Sequence, residues 1–171
     1  MTIVVCPLQS VKTAIARHRP ARVLSLLSPA QAPPVPPAGV AQTVLRFHDI
    51  AEPRPGLIAP DPELVAEILA FGAAWQEPAP MLIHCWMGIS RSTAAALIIA
   101  CALDPARDEA AAAAELRRAA PTATPNPLMI RLADEALGCG GRLVSAVAAI
   151  GRGAEAMHGA PFTIGTRRST R

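Results

Sequence analysis

Short runs of apolar, β-branched residues alternate along the chain with longer stretches whose apolar positions recur at helical spacing. Thr2-Ile3-Val4-Val5-Cys6 is a strand-sized run ended by Pro7, and a helical stretch from about Leu8 to His18 follows before Pro20 stops it. Val23-Leu24-Ser25-Leu26-Leu27 reads as a second buried strand. The segment from Ser28 to Gly39 carries five prolines, which predict a stiff, exposed loop rather than regular structure. Val44-Leu45-Arg46-Phe47 predicts a third strand running into His48-Asp49-Ile50. After another Pro-rich connection, Asp61-Pro62 has the form of a helix N-cap followed by Pro in the first turn, opening a helix to about Trp75. Met81-Leu82-Ile83-His84 predicts a fourth strand, and a long apolar helix starts at Arg91. The rest reads as helical, with breaks near Asp104-Pro105, from Pro121 to Pro127 and from Gly138 to Gly141.

Strands alternating with helices predict an α/β fold, a three-layer α/β/α sandwich around a central, mainly parallel sheet of about four strands. Ligands of such sheets bind at the carboxyl ends of the strands. Cys6, Ser28, His48-Asp49 and Cys85 all fall at those ends, so one edge of the sheet should collect most of the chemistry. The pattern assigns residues 1–158 to one catalytic-sized domain and the weakly patterned residues 159–171 to an Arg-rich tail.

Composition adds to this outline without changing it. Of 171 residues, 51% are hydrophobic but only five are aromatic, and 36 are Ala, so the core should be built from small aliphatic side chains that let helices approach closely. The net charge of +3 is matched by Arg167, Arg168 and Arg171, which leaves Met1 to Thr166 balanced. A broad nucleic-acid-binding face is not expected. No apolar run approaches the roughly 18 residues of a membrane span, and the first residues read as a strand rather than a leader, so a cytoplasmic protein with no membrane partner is expected. Cys6, Cys85, Cys101 and Cys139 form no CxxC pair and have no histidines at zinc spacing, which points to reduced thiols and no metal.

The informative segment is His84-Cys85-Trp86-Met87-Gly88-Ile89-Ser90-Arg91-Ser92. A buried strand, a tight loop with glycine and a helix start follow one another directly. Such a loop turns successive backbone N–H groups inward, and the helix start adds unpaired donors and the positive end of its dipole, making an anion cradle from residues 86–91. Cys85 stands at its mouth, where those donors would stabilise a thiolate. Arg91 can return to the same anion with a planar fork suited to two phosphate oxygens. The Ser92 hydroxyl can donate to the sulfur and help it leave later.

With His-Cys, five residues and then Arg-Ser, this segment resembles the signature of the cysteine-dependent protein tyrosine phosphatase superfamily. It looks most like the compact dual-specificity members, through Gly88-x-Ser90-Arg91-Ser92, and like the small tyrosine phosphatases predicted in alphaproteobacteria. The resemblance implies Cys85 as nucleophile, Arg91 as phosphate clamp, Ser92 as the hydroxyl that assists breakdown of a phosphocysteine, and residues Trp86, Met87, Gly88, Ile89, Ser90 and Arg91 as the phosphate-binding loop. The general acid of that superfamily comes from a loop after an earlier strand, which points to Asp49, with Asp61 and Glu52 as rivals. Asp61 fits a helix N-cap better. Pro125-Asn126 resembles the Pro-Asn of dual-specificity phosphatases, whose Asn braces the phosphate loop, although the Gln expected soon after is out of register. His84 would orient the backbone of Cys85. No metal or other cofactor is implied, since N–H groups and Arg91 supply the charge neutralisation.

The expected substrate is a phosphorylated protein or small phosphoester. Trp86 and Met87 make the loop rim bulky and apolar, and neither is the basic residue common in phosphoinositide phosphatases. The chain is too short for the longer tyrosine-specific domain. Two other functions stay open: a phosphoprotein-binding module without turnover, which an Asp49 turned away from the loop would favour, and a sulfurtransferase or reductase, which would need a second cysteine that only Cys6 offers. The superfamily's sheet order places the first strand beside the one carrying the nucleophile, and Cys6 follows the one as Cys85 follows the other, so the resemblance implies a protective disulfide between them as a further expectation. Oligomeric state is not legible.

Overall fold

The computed structural model describes residues 1–76 and 78–166. Its strands are β1 (Thr2–Pro7), β2 (Arg22–Leu27), β3 (Ala41–Arg46), β4 (Met81–Cys85) and β5 (Phe162–Gly165). The helices are α1 (Val11–His18, entered through a single 3₁₀ turn at Leu8–Ser10), α2 (Pro62–Ala73), α3 (Arg91–Leu103), α4 (Glu109–Ala119), α5 (Pro127–Ala136) and α6 (Arg142–Ile150).

The sheet order is β3-β2-β4-β1-β5, parallel except for β5, which runs antiparallel to β1. The mainly parallel α/β sandwich expected from the sequence is present, with five strands rather than about four. The extra strand comes from the stretch read as a tail. Phe162 and Ile164 alternate with exposed Thr163 and Gly165, so two apolar side chains suffice to seat an edge strand on the core. The tail therefore begins later than Gly159; Arg167, Arg168 and Arg171 lie outside the described residues.

The two faces of the sheet are covered unequally. Val4, Cys6, Val23 and Leu82 pack against Val11 and Ala14 of α1, whereas alternate residues Ile3, Val5, Ile83 and Cys85 face the larger core with α2, α3 and α5. The period of two decides the fate of Cys6. It is paired with His84, one residue short of Cys85, so the two sulfurs project from opposite faces. That offset removes the expected Cys6–Cys85 disulfide. Burial, reinforced by nearby Cys85, pushes the Cys6 thiol up to about 12, and burial does the same to Cys101. Both behave as small packing residues.

At the centre lies α3, buried along almost its whole length. Its Ala-rich sequence permits the close approach of α2: a Cβ on Gly72 would stand 2.9 Å from Ile99. Trp75, fully buried, donates its indole N–H to the Ala79 carbonyl at 2.9 Å. The break at Gly138 to Gly141 is bridged by buried Asp134, which accepts from the N–H groups of Gly141, Leu143 and Val144 and so caps α6 from a distance. No helix among the described residues is long and apolar enough to cross a membrane.

Candidate active site

β4 delivers Cys85 to the sheet edge at 2% exposure, and α3 starts six residues later. Between them the loop can turn its N–H groups inward only if its carbonyls are satisfied outside, because a carbonyl facing the cradle would repel an anion. Those of Trp86, Met87, Ile89 and Ser90 are satisfied by four separate parts of the chain. Trp86 O accepts from Leu8 N–H at 3.2 Å, Met87 O from Gly159 N–H at 2.8 Å, and Ile89 O from Thr124 N–H at 2.9 Å. The Thr93 hydroxyl, one turn into α3, reaches back to Ile89 O and Ser90 O at 2.6 and 2.8 Å. Gly88 has φ +70° and backs onto β1 so closely that a Cβ would lie 2.7 Å from the Pro7 nitrogen, so both conformation and space require glycine.

Inside the cradle, the Cys85 sulfur accepts from the Gly88 N–H at 3.2 Å and lies 3.1 Å from Ser92 Oγ. The α2, α4 and α5 N-termini are capped by Asp61, Asp108 and Asn126. By contrast, Ser90 at the α3 N-cap makes no capping bond and turns its hydroxyl to Asp49 at 2.7 Å. The first turn of α3 is thereby left to a ligand.

Arg91 is 4% exposed, with its guanidinium 5.7 Å from the Phe47 ring centre. Its Nη1 donates to Phe47 O at 3.0 Å and to Ser28 Oγ at 3.3 Å, which fixes the fork. Its Nε is buried without a hydrogen-bond partner and lies 3.8 Å from Asp49 Oδ2. A buried, unsatisfied guanidinium N–H costs free energy unless an anion completes it.

Asp49 follows β3 on the far wall. Its Oδ1 accepts from Ser90 and, at 2.8 Å, from the Asn126 amide, which also donates to Ile50 O at 3.2 Å. Asn126 thus braces the Asp49 loop rather than the loop between β4 and α3 directly. Of the rivals, Asp61 is the N-cap of α2, accepting from Leu64 N–H at 2.8 Å, and neither it nor Glu52 lines the cleft. His84 is wholly buried and bonds Ser25 of β2 through Nε2 at 2.7 Å. Burial, against the opposing pull of the Cys85 backbone, lowers its pKa to about 4, so it is a neutral strut beneath the loop.

These residues surround a cleft of about 540 Å³ whose lining includes Cys85, Arg91, Asp49, Asn126 and the exposed rim residues Trp86 and Met87. Ser28 and Gln31 bring the Pro-rich loop to its edge. The sequence pattern did not reveal Leu8, Thr93, Thr124 and Gly159, whose donors act on loop carbonyls from 3 to 78 positions away, or Arg152, which enters the cleft from the turn after α6. His48, beside Asp49, turns back on its own loop, accepting from Ile58 N–H at 2.9 Å. Only Thr93, at a helical spacing from Ile89, left a local signal. Among the described residues, no group of three or more His, Cys, Asp or Glu side chains is placed to hold a metal ion.

The same arrangement of sheet and helices occurs in solved phosphatases. Human DUSP28 superposes with a TM-score of 0.60 at 19% identity, covering 80% of this chain and 88% of that one. DUSP15 gives 0.63 at 14% identity, over 86% and 89%. The Yvh1 phosphatase domain from Chaetomium thermophilum gives 0.57 at 20%, over 82% and 93%. This is the dual-specificity phosphatase fold. No family model matches the chain, and no curated protein matches it by sequence. The likeness thus rests on the backbone fold.

Proposed function

We propose that this protein is a phosphoric monoester hydrolase of the protein tyrosine or dual-specificity type, working through a phosphocysteine on Cys85. The observation that carries this reading is the buried Arg91 Nε, without a hydrogen-bond partner, beside a loop whose Trp86, Met87, Ile89 and Ser90 carbonyls are held by outside donors around the Cys85 sulfur. A tetrahedral oxyanion above the sulfur satisfies Nε and the inward N–H groups together.

In the first step the Cys85 thiolate attacks phosphorus, the S–P bond forms and the P–O bond to the leaving group breaks. Asp49 gives its proton to that oxygen. Oδ1 is held by Ser90 and Asn126, which leaves Oδ2, the oxygen facing Arg91, as the proton carrier. In the second step the Asp49 carboxylate takes a proton from water, whose oxygen attacks phosphorus. The S–P bond breaks and inorganic phosphate leaves, while Ser92 Oγ donates to the departing sulfur. Exposed Trp86 and Met87 suit a phosphorylated protein side chain entering over an apolar rim.

The direction of Asp49, towards the loop, favours turnover over a purely binding role. The sulfurtransferase reading loses its support because Cys6 faces away from Cys85. The experiment is turnover of an aryl phosphate with mass analysis of the quenched protein. Wild type should hydrolyse it and carry one phosphate on Cys85, and Cys85→Ser should lose at least about 10⁴-fold in rate. Retained turnover in Cys85→Ser would sink the mechanism.

A further inference from the structure

The cleft over Cys85 does not end at the phosphate loop. A second cavity of about 580 Å³ adjoins it, and Met87, Ile89, Thr124, Arg152 and Ala156 line both. Arg152 is the charged side chain common to the two, exposed, and unused by the phosphate chemistry described above.

The turn that carries it is built in place. The Arg117 guanidinium donates to Pro121 O and Ala123 O on one side and to Ile150 O and Gly151 O on the other, at 2.7 to 3.3 Å. Gly153 N–H donates to Thr124 Oγ1 at 3.1 Å and Ala154 N–H to Pro121 O at 3.0 Å. A Cβ on Gly153 would lie 2.4 Å from the Thr122 carbonyl carbon, so this contact is as close as backbone allows. Because Thr124 also holds Ile89 O, the turn is tied to the phosphate loop through a single intervening strand of chain.

A cation fixed beside an oxyanion site attracts a second negative group on the same ligand. Glu155 lines only the far cavity, which confines that attraction to the shared wall. Met87 and Met157, both exposed, give the far cavity apolar surface along which a peptide can run. We propose that Arg152 forms a second anion subsite, receiving a carboxylate or a second phosphate carried by a residue next to the phosphorylated one in a protein substrate. This rests on the phosphatase reading of the cleft.

The test uses the Cys85→Ser protein and fluorescent phosphotyrosyl peptides flanked by Ala, Glu, phosphoserine or Lys, with affinity read by anisotropy. The Glu and phosphoserine peptides should bind about two- to five-fold more tightly than the Ala peptide, the range of an exposed ion pair. The tighter of the two identifies carboxylate or phosphate as the natural group. Arg152→Ala in the same protein should bring the ratio to about one, and Arg152→Glu should make the Lys peptide preferred. Equal binding of all four peptides, or a ratio that survives Arg152→Ala, overturns the subsite. Aryl phosphate turnover by the unsubstituted protein is measured in parallel: its absence overturns the phosphatase reading, whereas the flank preference decides the subsite.

Discussion

The two walls of the cleft are made in different ways. The phosphate loop, between β4 and α3, rests on buried His84, has its carbonyls held by donors from β1's end, α3, the α4–α5 connection and the segment before β5, and places a nearly buried sulfur and guanidinium at its floor. The acid loop, between β3 and α2, is exposed from Ala51 to Ile58 and is closed mainly at its neck, where His48 and Ile58 exchange backbone and side-chain bonds. Beyond Phe47, whose carbonyl and ring hold Arg91, it reaches the chemistry through Asp49, tied to Ser90 and Asn126. An oxyanion cradle must be preorganised, because reorienting dipoles during reaction would forfeit its advantage. An acid that must also serve as a base needs only reach and solvent access. Rigidity is placed where charge develops and mobility is tolerated where a proton is exchanged.

That contrast can be broken first at the base of the phosphate loop. Folded His84 has its pKa lowered to about 4 by burial, against about 6.5 in the unfolded chain. Between those values the unfolded chain binds a proton that the folded chain does not, so stability is retained above about 6.5 and falls as the pH drops towards 4. Complete loss of this contribution amounts to roughly 3 kcal/mol. Denaturant titrations at pH 7 and pH 4.5 should show most of that loss in wild type and a flatter profile in His84→Gln; equal acid sensitivity in both would argue against a folding-coupled loop.

The acid loop should respond in the opposite manner. Asp49→Asn keeps an oxygen for Ser90 and Asn126 but cannot carry the proton, so kcat/KM on an aryl phosphate should fall about 100-fold while stability stays within the ~0.5 kcal/mol typical of surface changes. A large loss of stability would mean that this wall is as structural as the other. The smallest effect is expected at Gly159, whose added Cβ would sit 2.6 Å from Gly88 O. Gly159→Ala should displace the phosphate loop slightly, weaken inhibition by inorganic phosphate and reduce kcat/KM by about tenfold, since small misplacements are costly in such sites. Unchanged phosphate inhibition would show that the brace on Met87 O is dispensable.

The four apolar runs and the prolines around them were sufficient to place β1 to β4 and the principal helices, because their signals are local: period, branching at Cβ and breaks in backbone hydrogen bonding. β5 escaped because only Phe162 and Ile164 carry its pattern, and an edge strand needs no more. The Cys85 loop was legible for a related reason, since strand, glycine, arginine and helix stand next to one another in the chain. The sequence by itself also determined that Arg91 and Ser92 share a helix start and that Asp49 follows a strand on the same edge. Tertiary structure alone decided which donors hold the loop open, that Cys6 faces away from Cys85, that Asn126 reaches Asp49 and that Arg152 enters the cleft. Those outcomes depend on register and on contacts between residues up to 78 positions apart, and a one-residue shift between β1 and β4 would bring the two cysteines to the same face of the sheet.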